Sequence, residues 1–179
     1  MIESAVSFLL RAFVDFFTAL FFLRFLMQLR RVSFAGRLGA FVMTLTDCVV
    51  KPLRRVLPGF FGLDFSSIAA AILLQLFLAA VLLTLYGYLR LNSIETLAVV
   101  ILRESFKGCL RAALLMMISL LLIQALLSWT NPYSTTGETL ARLTLPILKP
   151  IRRFVPLIAN VDLSPLIAIV LMQCALNLL

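Results

Sequence analysis

Four stretches of the chain are almost wholly apolar, and the segments between them gather most of its Arg, Lys and Pro. The stretches run from Ala5 to Leu29, Phe65 to Leu89, Gly108 to Trp129 and Leu163 to Leu179. A helix rises 1.5 Å per residue, so about 20 apolar residues cover a ~30 Å hydrocarbon core. The pattern predicts four membrane-spanning helices, the fourth the shortest. The second has no charge between Ser67 and Leu89, whereas the first contains Arg11, Asp15 and Arg24. Ionisable groups inside a membrane are costly when they face lipid, so these three are predicted to face a neighbouring helix. Arg11 and Asp15 lie one turn apart and are expected to pair, while Arg24 reaches toward the inner interface and snorkels. Between spans two and three, Ile94, Leu97, Ala98 and Ile101 form a helical stripe behind a capping pair, Asn92 and Glu95. An interfacial helix leading into span three is expected there.

A duplication underlies this pattern. Thr46 to Gln75 aligns with Thr144 to Gln173 without a gap, at a constant offset of 98 (144 − 46). One copy reads TDCVVKPLRRVLPGFFGLDFSS and the other TLPILKPIRRFVPLIANVDLSP. The matches include Lys51/Lys149, Pro52/Pro150, Arg54/Arg152, Arg55/Arg153, Pro58/Pro156, Asp64/Asp162 and Ser66/Ser164. Charged and proline matches in gapless register mark an internal repeat. The implied division is a first repeat over 1–90, a connector over 91–107 and a second repeat over 108–179. Each repeat holds an even number of spans, so both are expected to insert in the same orientation, about an axis along the membrane normal. The loop after span one carries Arg30, Arg31, Arg37, Lys51, Arg54 and Arg55, and the loop after span three carries Arg142, Lys149, Arg152 and Arg153. The opposite connector offers only Arg90, Arg103 and Lys107. Positive charge is retained on the cytoplasmic side, which predicts cytoplasmic motif loops and external termini.

The repeated core is K-P-x-R-R-x-x-P followed by D-x-S. Proline fixes its own φ and disfavours helix before it, so each proline pair is expected to bracket a short interfacial segment that cannot merge into a long helix. Its Arg residues would face lipid phosphates. Asp64 and Asp162, or Ser66 and Ser164, stand where they can cap the next span, with Pro165 at an early helical position. Two readings stay open. The motif is either a topological anchor, or a charge network of Lys51, Arg54, Arg55, Asp64, Lys149, Arg152, Arg153 and Asp162 that binds an anion, a lipid headgroup or a partner protein.

Composition narrows the functions. With 63% hydrophobic residues, the chain exceeds the 45–50% of soluble domains. The net charge of +8 flanks apolar runs instead of forming a solvated face, which favours attraction to anionic lipid over direct nucleic-acid binding. There is no His, and Cys48, Cys109 and Cys174 are widely separated. A metal site or disulfide framework is not indicated, and the cysteines are expected to be small packing residues. No nucleophile stands beside a base, no Gly-rich phosphate loop is present, and Asp47 faces Leu145 in the other copy. No cofactor and no enzymatic activity are expected. The N-terminal run lacks a basic leader and a cleavage site, and is read as a retained span.

These residues resemble the YggT (YlmG) family of small membrane proteins. The second copy carries the family pattern at Ser128, Trp129, Asn131, Pro132, Thr144, Pro146, Pro150, Arg152, Arg153, Pro156, Asp162, Ser164 and Pro165. It has Gln124 where the pattern has Arg. The first copy keeps Arg24 there, but has Gln28-Leu29 for Ser-Trp, and Cys48 and Ser67 at favoured proline positions. The resemblance implies a multi-pass bacterial inner-membrane protein connected with osmotic tolerance or with envelope and division functions. Chloroplast relatives are associated with cytochrome-complex assembly and nucleoid distribution. The expected role is a scaffold or assembly factor contacting anionic lipid and membrane or division proteins, with self-association an option. The alternative is a small channel or transporter subunit, with Arg11, Asp15 and Arg24 lining a polar path.

Overall fold

The computed structural model describes residues 2–56, 64–85, 94–131, 134–153 and 162–179. Six helices follow in order: α1 (Ile2–Leu29), α2 (Arg37–Val56), α3 (Phe65–Leu85), α4 (Ile94–Thr130), α5 (Thr135–Ile151) and α6 (Ser164–Asn177). There is no strand among the described residues. Three of these helices are long and apolar enough to cross a membrane: α1, α3 and α4. The fourth apolar stretch forms α6, which has 14 residues. At 1.5 Å per residue that is about 21 Å, short of a full ~30 Å crossing.

The spans pack around α3. Its inward stripe holds Ser66, Ser67, Ala70, Ala71, Gln75, Leu78, Ala79 and Leu82. Small residues on such a stripe let backbones approach closely where lipid provides no hydrophobic drive between helices. Gly108 on α4 shows how close: a Cβ there would lie 2.2 Å from Gln75 Oε1. Helices α1 and α3 run antiparallel. Phe21 clusters with Ala70 and Ala71, whereas Val14, earlier on α1, clusters with Leu78 and Leu82, later on α3. In the second repeat α6 rests on α4 and α5 through Leu121, Leu148 and Ala168.

Two expectations about the intervening segments need correction. The basic segments are long amphipathic helices, α2 and α5, and Pro52, Pro146 and Pro150 lie inside them. Each proline removes one N–H, but all three sit on the exposed face, where water or headgroups can serve the carbonyl left over. The second proline of each pair, Pro58 and Pro156, lies outside the described residues. The connector helix does form, but as the first turns of α4 with no break before span three. Arg103 and Lys107 are therefore on that helix, while Asn92 and Arg90 lie outside the described residues. Among the cysteines, Cys109 is half-buried, whereas Cys48 and Cys174 are exposed.

Candidate functional site

In the first repeat α2 is tied to the bundle by a knot of charges at the C-terminal end of α1. Arg24 does not snorkel. It is 2% exposed, and its Nη1 donates to Thr46 Oγ1 and to Asp47 Oδ1, both at 2.7 Å. Its Nε stands 3.9 Å from Asp64 Oδ2. Asp47 is shared with Lys51, one turn along α2, at 2.9 Å. Asp64, 3% exposed just before α3, accepts from Arg54 and from the Ser66 hydroxyl. Its backbone N–H donates to Gln28 Oε1 of α1 at 2.9 Å. Two carboxylates thus hold three cations, and α1, α2 and α3 meet at one point.

The electrostatics follow. The hydrogen bond from Lys51, with the contacts to Arg24, holds the Asp47 carboxyl below its usual range against partial desolvation. Burial pushes the Asp64 carboxyl up, but Arg54 and Ser66 outweigh it and the net direction is down. The Arg54 guanidinium is correspondingly pushed up by its bond to Asp64.

The second repeat builds the same joint with fewer charges. Thr144, like Thr46, sits ten residues into its amphipathic helix and returns its hydroxyl to the carbonyl four residues back, Leu140 for Thr144 and Val42 for Thr46. Where Thr46 meets Arg24, Thr144 meets Gln124. Arg152 pairs with Asp162 at 2.7 Å, across the ten-residue separation that divides Arg54 from Asp64. Asp162 Oδ1 also accepts the Ser164 backbone N–H at 2.9 Å, at the start of α6 with Pro165 in its first turn. Burial raises the Asp162 carboxyl, but bonds from Ser164 and Arg152 bring it below its usual range. Helix α5 is capped by Ser134, which accepts from Gly137 N.

The structure therefore joins Arg54 to Asp64 and Arg152 to Asp162, and leaves Arg55, Lys149 and Arg153 exposed beside them. Arg54 and Arg55 lie in the last turn of α2 and Lys149 in that of α5, where the helix dipole favours cations. Arg11 and Asp15 do not close an ion pair. Asp15 is half-buried and its Oδ1 accepts from Gln75 Nε2 of α3 at 3.0 Å, while the exposed Arg11 lies along a cavity. Sequence reasoning missed Asp47, Gln28 and Gln75. Asp47 carried a signal in its i,i+4 spacing to Lys51, and Gln75 in its match to Gln173 at the repeat offset.

The fold and its repeated joint define a helical membrane protein in which an amphipathic basic helix is inserted between apolar helices, twice. The CCB3/YggT family model matches residues 4–86 and again 105–179, and the chain belongs to that family. It is similar to the uncharacterized protein PA0392 of Pseudomonas aeruginosa, 30% identical over 93% of this chain and 84% of the relative. It is similar to the uncharacterized protein YggT of Escherichia coli, 29% identical over 94% of this chain and 86% of the relative. The uncharacterized protein ycf19 of Guillardia theta is 36% identical over 81 residues, which are 44% of this chain but 85% of that protein. A relative with room for about one repeat fits a unit that was duplicated here. No solved structure matches the chain.

Proposed function

We propose that this is a non-enzymatic inner-membrane scaffold or assembly factor that presents two basic amphipathic helices to anionic headgroups and partner proteins on the cytoplasmic side. The observation that carries the reading is a division of labour repeated in both halves. One arginine, Arg54 or Arg152, is tied to the aspartate before the next helix. Its neighbour, Arg55 or Arg153, is exposed and has no ion pair among the described residues. The tied residue fixes the angle of the helix; the neighbour is left for phosphate oxygens. In this reading α6 completes a four-span, parallel-repeat topology with both termini outside and α2 and α5 within the cytoplasmic interface. A C-terminal reporter active only in the cytoplasm should stay silent, and activity would overturn the orientation.

The test of the surface is to replace Arg55 and Arg153 together by Gln. Association with phosphatidylglycerol vesicles should weaken by about 1 kcal/mol per charge. An unchanged lipid preference in flotation would overturn the reading. A channel or transporter subunit is the second reading, and one observation favours it: Arg11 and Asp15 line a cavity.

A further inference from the structure

That cavity is separate from the basic helices. It is an open cleft among α1, α3, α4 and the end of α6, with a volume of about 850 Å³, within the range of small-molecule sites. Among the described residues seven polar side chains line it: Arg11 and Asp15 of α1, Gln75 of α3, Glu104, Lys107 and Arg111 of α4, and Asn177 of α6. Glu104, Lys107 and Arg111 follow at i, i+3 and i+7, so one face of α4 carries all three. The ion pairs among the described residues use none of these charges. Charges within apolar helices that do not neutralise one another need another partner.

The repeat adds a second observation. Arg24 and Gln124 occupy equivalent places, which sets the offset between α1 and α4 at 100 (124 − 24). At that offset Leu10-Arg11-Ala12 falls on Leu110-Arg111-Ala112. Each repeat therefore contributes the same arginine, and both arginines open on the same cavity. The charged side chains sum to +1, three cations less two carboxylates. Asp15 is already engaged by Gln75, which is 2% exposed and held also by a 3.2 Å bond to Thr18.

We propose that this cavity is an oxyanion site, in which Arg11, Lys107 and Arg111 hold a phosphate group, either free or in a phospholipid headgroup. Guanidinium forks match phosphate oxygens in pairs. Asp15 and Gln75 are positioning residues that keep the α1–α3 wall fixed.

The full-length protein, purified in detergent, would be titrated with inorganic phosphate. In parallel, it would be placed in nanodiscs of mixed phosphatidylcholine and phosphatidylglycerol and analysed by native mass spectrometry. Arg11→Gln combined with Arg111→Gln should weaken binding of the active probe by about tenfold or more, the effect of losing charged hydrogen bonds. Saturable phosphate binding lost in that variant identifies a free anion. Retention of phosphatidylglycerol lost in that variant, without phosphate binding, identifies a lipid headgroup. Arg11→Lys with Arg111→Lys keeps the charge but not the forks and should bind between wild type and the Gln pair, which separates loss of the site from loss of the fold. No saturable binding of either probe, or equal binding by wild type and the Gln pair, would overturn the proposal.

Discussion

The two repeats solve one structural problem with different chemistry. In the first, a buried arginine meets Thr46 and two aspartates; in the second, a neutral glutamine meets Thr144 alone. One of the two aspartates that balance Arg24 is replaced along with it, since Leu145 stands at the position of Asp47. Charge and countercharge have been exchanged as a unit, and the joint has kept its shape. What both copies retain is a hydrogen-bonding side chain from the first helix on a threonine of the amphipathic helix. The geometry of the joint therefore resides in that contact, and the charge is an addition specific to the first repeat. A buried ion pair need not stabilise more than a well-packed neutral replacement, but removing one partner is expensive.

That asymmetry orders the expected effects. Asp64→Asn should be the most damaging single replacement, because Asp64 is 3% exposed and serves both Arg24 and Arg54. Its loss leaves Arg24 without one of its two carboxylates and should cost about 3–5 kcal/mol. The matched Asp162→Asn breaks a pair whose members are 27% and 44% exposed, and should cost no more than about 1 kcal/mol. Chemical unfolding of both variants in detergent checks the difference, and equal losses would remove the distinction between the repeats.

Acid should expose the same contrast. The Asp47, Asp64 and Asp162 carboxyls all lie below their ordinary value of 3.8 in the folded protein. In the unfolded chain they take up protons first as pH falls. Their contribution is thus fully present above that ordinary value and is lost as pH drops through the folded values. The melting temperature should be flat from pH 7 to about 5 and fall below about pH 4. Asp64→Asn should flatten that acid limb more than Asp162→Asn.

A smaller effect concerns the turn after α1. Arg31 has φ of 51°, the left-handed conformation, and Val32 N bonds back to Met27 O at 2.9 Å. This is the helix-ending geometry that usually takes glycine. Arg31→Gly should stabilise the first repeat by up to about 1 kcal/mol, read from the same unfolding curves. No change would mean that the Arg31 side chain offsets its own strain.

Much of this was legible in the sequence. The gapless repeat singled out Arg54, Asp64, Arg152 and Asp162 as one candidate charge network, because matched charges and prolines at a fixed offset survive where apolar residues interchange, but it left open which residues pair. Apolar run length identified α1, α3 and the body of α4, since crossing lipid demands it. The helical state of α2 and α5 was hidden by Pro52, Pro146 and Pro150, whose local preference is overridden where each falls on an exposed face. The partners of Arg24 were hidden for another reason. Thr46, Asp47 and Asp64 are 22 to 40 residues away, and only the packing of α2 across the end of α1 brings them in. The pairing expected for Arg11 and Asp15 rested on helical spacing alone, and spacing does not show that Gln75 of α3 competes for the carboxylate.

The exchange of charge and countercharge as a unit can be measured by converting the first repeat into the second. Arg24→Gln, Asp47→Leu and the two together would be compared by unfolding free energy in the same detergent. Each single replacement should destabilise, Arg24→Gln by about 3 kcal/mol, because it strands a buried or half-buried partner. The double replacement should recover at least about 1 kcal/mol relative to the sum of the singles. Losses that simply add would contradict the account, and would make the Arg24 knot an independent feature of the first repeat.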